Sequence, residues 1–280
     1  MLSDPHLKVL DYAPDARKYF KGVDIEGGVA ITLHDEDKDF GAIGTFVPYA
    51  ELRTACEKII ARSDFVEFGK IISGRTPYLF TDKLHEDFPD AKTKLSDGHL
   101  CDISSNAFAS LPDIFTVEPN GDCLRVLGRL NNVRAYRYIK SGYVRGRDEN
   151  FIGKWKILLP QANGASGKLG AKPARIISKP VLGEPNDICT DTFLVVGAFG
   201  NRAEAETCLT YIKSKFARCL LGALKVMQVN PRATWAKVPL QDFTPASDID
   251  WGGDANAQLY RKYGLTEAEI DFIETHVKEM

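Results

Sequence analysis

Apolar residues recur at helical spacing in three parts of the chain. Within Glu51–Ala61, the residues Leu52, Ala55, Cys56, Ile59 and Ile60 fall on one face, the stripe that an amphipathic helix buries. After Gly200, one stripe runs through Cys208, Leu209, Ile212, Phe216, Cys219, Leu220, Ala223, Leu224 and Met227, with Lys213, Lys215 and Arg218 largely off it. Asn201 and Glu204 stand at capping-box separation before that helix, and Pro231 stops it. Thr266 and Glu269 open a last helix carrying Ile270, Ile273 and Val277. Strand-like runs are shorter. Lys8–Tyr12 predicts a strand, then Pro14 and a brief helical piece over Arg17–Phe20. Gly28–His34 and Ala42–Val47 flank the polar Asp35–Asp39 and predict a hairpin, while Ile157–Leu159 and Phe193–Val196 predict buried strands. Asn163–Gly170 between them is a loop of small residues, and residues 63–120 have only short apolar runs punctuated by Gly, Pro and Asp. The pattern predicts an α+β fold of mixed short strands and helices with a helical C-terminus.

At 280 residues, 44% hydrophobic and 26% charged, the chain has the balance of a globular protein and not of a disordered or collagen-like one. No apolar run approaches the roughly 20 residues of a membrane span. Met1–Pro5 has no basic segment leading into an apolar one, so the expected compartment is the cytoplasm. Cys56, Cys101, Cys123, Cys189, Cys208 and Cys219 are far apart, with no Cys-x-x-Cys pair, so they are expected to be reduced structural residues and no metal site is expected.

Charge changes the picture more than composition does. The net charge of −2 conceals a block, residues 121–180, with 13 basic against 3 acidic side chains, flanked by segments of −8 and −4. Within it Arg134, Tyr136, Arg137, Tyr138, Lys140, Tyr143, Arg145 and Arg147 interleave cations with phenol rings, and Asn131, Asn132 and Asn163 add amides. Phosphates take Lys and Arg; base edges take planar, amide and aromatic groups. The alternative for such a block is a solvated charged face over packed tyrosines, or a surface for an acidic protein.

Motifs for nucleotide chemistry are missing. Gly164–Gly170 has glycines and Lys168, but no Ser or Thr follows that lysine, and there is no Gly-x-Ser-x-Gly elbow. Asp15, Glu36 and Lys38 superficially fit the acidic pair plus lysine of a metal-dependent nuclease, in which carboxylates hold Mg²⁺ near an attacking water. Glu36 and Lys38 fall in a polar connection and not on a strand, which disfavours that reading.

Several stretches resemble the C-terminal part of the large, single-chain adenine-specific DNA methyltransferases of bacterial restriction–modification systems. Val23–Leu33 is similar to the strand that follows their catalytic motifs, and Ile72–Tyr78 to the segment opening their target-recognition domain. Lys156–Gly164, Cys208–Gln228 and Trp235–Phe243 are similar to their later signatures. The family's glycine-rich S-adenosylmethionine loop and Asn-Pro-Pro-Tyr motif do not occur; Phe40–Gly44 has the wrong spacing. The resemblance implies the terminal strands of a catalytic domain over residues 1–50, a DNA target-recognition domain over 51–245 and a helical extension over 246–280.

The expected function is sequence-specific recognition of duplex DNA as the specificity part of a restriction–modification enzyme, with no catalytic residue and no cofactor on this chain. S-adenosylmethionine is expected on a partner methyltransferase or restriction subunit carrying the catalytic half. Arg125, Arg129, Arg134, Arg137, Lys140, Arg145, Arg147, Lys154, Lys156 and Lys168 are the expected phosphate contacts, with a minority reaching bases. Arg75, Asn131, Asn132 and Asn163 are the expected base readers, because Arg pairs with guanine and Asn with adenine. The alternatives are the Asp15, Glu36 and Lys38 nuclease and a non-enzymatic interaction module.

Overall fold

The structure is a computed structural model that describes residues 1–280 except 24, 26, 27, 148–150, 164–166 and 171; the centre of the expected small-residue loop lies outside the described residues. Strand β1 (Leu7–Ala13) pairs antiparallel with β2 (Val29–His34), and helix α1 (Ala50–Ile60) follows. The irregular middle holds β3 (Tyr78–Phe80) and the short helices α2 (Asp82–Asp87) and α3 (Ala107–Ser110). Next come the hairpin β4 (Cys123–Leu130) and β5 (Val133–Lys140), then β6 (Val144–Gly146), which pairs with β3. Four more strands are β7 (Trp155–Pro160), β8 (Val181–Gly183), β9 (Asp187–Cys189) and β10 (Phe193–Phe199). The chain ends in α4 (Arg202–Lys213), α5 (Lys215–Gly222), α6 (Ala255–Lys262) and α7 (Glu267–His276). This is an α+β fold with two three-stranded sheets, β10-β7-β8 and β5-β4-β9, the latter with β9 parallel to β4.

Side chains alternate across a pleat, and in the β7–β10 pair both faces are apolar. Ile157, Leu159, Leu194 and Val196 join one core with α1, α4, α5 and α7. Leu158, Phe193 and Val195 face a second core built on β3, α3 and β4. The strand pair is therefore the wall between two cores, and its neighbours are held to it. Ser73 donates its N–H to the Val195 carbonyl at 2.8 Å, and its hydroxyl accepts the Val195 N–H at 2.9 Å.

Both expected N-caps are present. Asn201 accepts the Glu204 N–H at 3.0 Å, and Thr266 with Glu269 forms a full capping box. Glu269 also receives Lys58 at 2.7 Å and the Thr54 hydroxyl at 2.7 Å, which joins α7 to α1. Two expectations need correction. The partner of β2 is β1, not Ala42–Val47, where Gly41 and Gly44 turn the backbone to φ 77 and 62 and Pro48 follows. The single long helix after Gly200 is two: Ser214 leaves helical geometry at ψ 147, and its hydroxyl caps α5 by accepting the Ala217 N–H. The β4–β5 strands, hidden in sequence by their charge, form the longest ladder.

Among the described residues, Arg218, Lys225 and Lys156 are buried cations with no carboxylate ion pair. Arg218 donates to the carbonyls of Lys213, Ser214, Arg175 and Lys278, and burial lowers its pKa to about 10. Lys225 donates to Asn163 Oδ1 and to the Gly167 and Met227 carbonyls, Lys156 to those of Ile152 and Asp187, and burial lowers both lysines to about 8. Burial pushes the Cys56 thiol up to about 12 and raises Cys189, Cys208 and Cys219 well above the ordinary thiol range.

These groups set a sign for the alkaline limb of stability. A thiol whose folded pKa exceeds its unfolded value of about 8.5 contributes stability that is complete below that value and is lost as pH rises toward the folded pKa. The two lysines act oppositely, regaining stability between about 8 and 10.4. Four thiols outnumber two lysines, so the urea midpoint should fall between pH 8 and pH 9.5. A midpoint that rises across that window would contradict this assignment of buried groups.

Candidate functional site

An open cleft of about 310 Å³ lies where the paired ends of β7 and β10 meet the tip of the β4–β5 hairpin. Its floor is Pro160, Gln161, Thr192 and Phe193, joined by the Gln161 N–H donating to the Thr192 carbonyl at 2.9 Å. Its lining includes Arg75, in the segment that follows Ser73, and Arg129 and Arg134, opposite each other in the ladder. Three guanidinium groups from two separate stretches thus line one cleft, with Asp191 the only acid among its lining residues. Arg134 donates to the Lys179 carbonyl at 2.6 Å and lies over the Phe193 ring at 5.6 Å. Desolvation, then the charge of Arg129, lowers the Arg134 pKa. Excess positive charge facing a half-desolvated space favours an anionic visitor.

The sheet continues this surface. Arg134, Tyr136, Tyr138 and Lys140 alternate with Ala135, Arg137 and Ile139 along β5, and alternation puts the first set on one face. Arg125 lies across from Tyr138, with its guanidinium over the Tyr136 ring at 5.0 Å. It is fixed there by two 2.7 Å bonds to Asp187, which hold its pKa well above the usual range. Lys140 lies over Tyr143 at 5.4 Å.

The other expected contacts divide. Arg137 belongs to the opposite face, over Phe108 at 5.9 Å, and donates to the Tyr136 carbonyl. Arg147 is tied to Asp102 at 2.6 Å and to the Thr76 carbonyl, while Arg145 and Lys154 are exposed. Lys168 lines a different pocket with Tyr12, Pro14 and Leu52, away from the cleft. Lys156 is fully buried and cannot reach a phosphate. Asn163 is committed inside, donating to the Ile176 carbonyl at 2.6 Å and accepting from Lys225, so it is not placed to read a base. Asn131 and Asn132 take φ 50 and 63 as the two-residue turn of the β4–β5 hairpin, so their amino-acid type has a backbone explanation.

The nuclease reading does not survive the fold. Ala13 is opposite Val29 and Leu7 opposite His34, so Asp15 and the Glu36–Lys38 segment lie beyond opposite ends of the β1–β2 ribbon, about 20 Å apart at 3.3 Å per residue. Asp15 is instead paired with Arg17 and Lys38 with Asp35. Among the described residues no three His, Cys, Asp or Glu side chains gather as metal ligands, and no helix is long and apolar enough to cross a membrane.

Sequence reading missed Gln161, Asp191, Thr192 and Phe193. One signal was present: Asp191, with Thr190 and Thr192, separates the apolar Ile188–Cys189 from the apolar Phe193–Val196, and an acid between two such runs needs a partner or a purpose.

No family model matches this chain, and no curated protein matches it. Among solved structures, the type IIG restriction endonuclease BpuSI is similar over 82% of this chain and 33% of its own length, with a TM-score of 0.39 at 10% identity. The chain thus spans about a third of that protein.

The hairpin turn supplies a test of role. Asn132→Gly suits the left-handed backbone and should leave the urea midpoint close to wild type. Asn132→Val should lose about 1–2 kcal/mol in urea denaturation, the penalty for a Cβ-branched residue in that region. Equal stability of the valine variant and wild type would contradict the backbone explanation of Asn132.

Proposed function

We propose that this chain binds duplex DNA in a sequence-specific way, as the recognition part of a restriction–modification adenine methyltransferase or restriction enzyme. One observation carries the reading: Arg75, Arg129 and Arg134 line one open cleft at the head of a sheet face where arginine, tyrosine and lysine alternate. Three arginines around an open cleft suit the closely spaced phosphates and base edges of a duplex. Tyrosines between the cations provide planar contacts to sugars and bases.

The methyl-transfer chemistry belongs, in this proposal, to a partner subunit that binds S-adenosylmethionine. The β1–β2 ribbon is the contact this proposal gives that partner: it is a two-stranded sheet with Leu10 and Ile31 about half exposed, and unpaired strand edges are templates for pairing.

Salt is the direct test. Neutralising 6–10 phosphates should cost about 10³–10⁵ in affinity between 50 and 200 mM salt. Arg129→Ala should weaken binding about equally for all sequences and reduce the salt slope by about one. A flat salt response, or binding to heparin but to no duplex, would overturn the proposal.

A further inference from the structure

Arg75 is held differently from the other cleft arginines. Arg134 is occupied by the Lys179 carbonyl and Phe193, and Arg129 closes its own turn through the Asn132 carbonyl at 2.5 Å. Arg75 makes one bond, from Nη2 to Asp191 Oδ2 at 3.2 Å, while its side chain is 71% exposed. Arg125 and Asp187 show what a completed pair looks like in the same protein, with two bonds of 2.7 Å. The Arg75–Asp191 pair is half made. The Asp191 side chain is only 9% exposed, and its buried Oδ1 has no hydrogen-bond partner among the described residues.

The backbone presenting Arg75 is strained. Thr76 is buried and sits at φ 57, a conformation that Cβ-branched residues avoid. It is kept there from several sides. Arg147 donates Nε to the Thr76 carbonyl at 2.9 Å and is itself anchored on Asp102. Ser73 is bonded twice to Val195 on β10. Over-determined strain of this kind clusters where a side chain must be aimed.

Charge distinguishes what Arg75 is aimed at. A carboxylate bonded to a guanidinium repels a phosphate approaching it but tolerates the neutral edge of a base, and it restrains the side chain while leaving donors free. We propose that Arg75 reads a guanine in the major groove by donating two parallel hydrogen bonds to O6 and N7, and that Asp191 is the residue that positions it. This rests on the duplex-binding reading and names the base and the reader within it.

The test selects duplexes from a pool with randomised sequence, using the full-length chain and its variants. Wild type should enrich a motif with guanine at one position. Arg75→Ala should lose about 5–150-fold discrimination at that position alone. Asp191→Asn should weaken the same preference while the salt slope holds or steepens, because Arg75 is freed to take a phosphate, a pattern that a merely structural role would not give. If Arg75→Ala keeps the wild-type motif, or weakens every sequence equally, the inference is overturned while duplex binding stands. If wild type binds no duplex at all, the functional proposal falls with it.

Discussion

The molecule is organised by a strand pair that has no solvent face. The central positions of β7 and β10 alternate between two cores, Ile157 and Leu194 in the first and Leu158 and Val195 in the second. A slip of one residue would exchange the two sets, so the register Phe193↔Pro160 is strongly specified. That register decides where Gln161, Thr192 and Phe193 emerge at the strand ends, and therefore where the cleft lies. The Ser73 clasp on Val195 then brings the Arg75 turn to the same spot from the far edge.

Electrostatics on this framework is selective. Several cations of the basic block serve the fold: Lys156 satisfies interior carbonyls, Arg125 completes a pair with Asp187, and Arg147 braces the Thr76 turn through Asp102. What remains for a ligand is a smaller set gathered by topology, namely the hairpin tip, the exposed face of β5 and Arg75. Net charge over a segment reports that cations are present; only the fold sorts braces from contacts.

Local features were legible in the sequence, and long-range ones were not. The Asn201 and Thr266 caps, the α1 stripe and the buried Ile157–Leu159 and Phe193–Val196 strands depend on neighbours within a few residues, and each stands where the pattern put it. The α4–α5 stripe misled because Ser214 breaks the helix without breaking its apolar period. The β2 partner was misread because Lys8–Tyr12 and Ala42–Val47 offer similar edges, and glycine geometry at Gly41 and Gly44 decided between them. For the site, the basic block pointed to Arg129 and Arg134, and the Ile72–Tyr78 resemblance to Arg75. Asn163 and Lys156 were misjudged because their partners, Lys225 and Asp187, lie 62 and 31 residues away. Asp191 carried its signal in burial, which hydropathy alone does not resolve.

Hydrogen–deuterium exchange of the full chain with and without a saturating mixed-sequence duplex tests the central claim most directly. The account predicts joint protection of four separate segments, at Ser73–Pro77, Arg129–Arg134, Pro160–Gln161 and Asp191–Phe193, with α6 and α7 unchanged. Protection confined to the helical C-terminus or the β1–β2 ribbon, with the cleft exchanging as before, would contradict it.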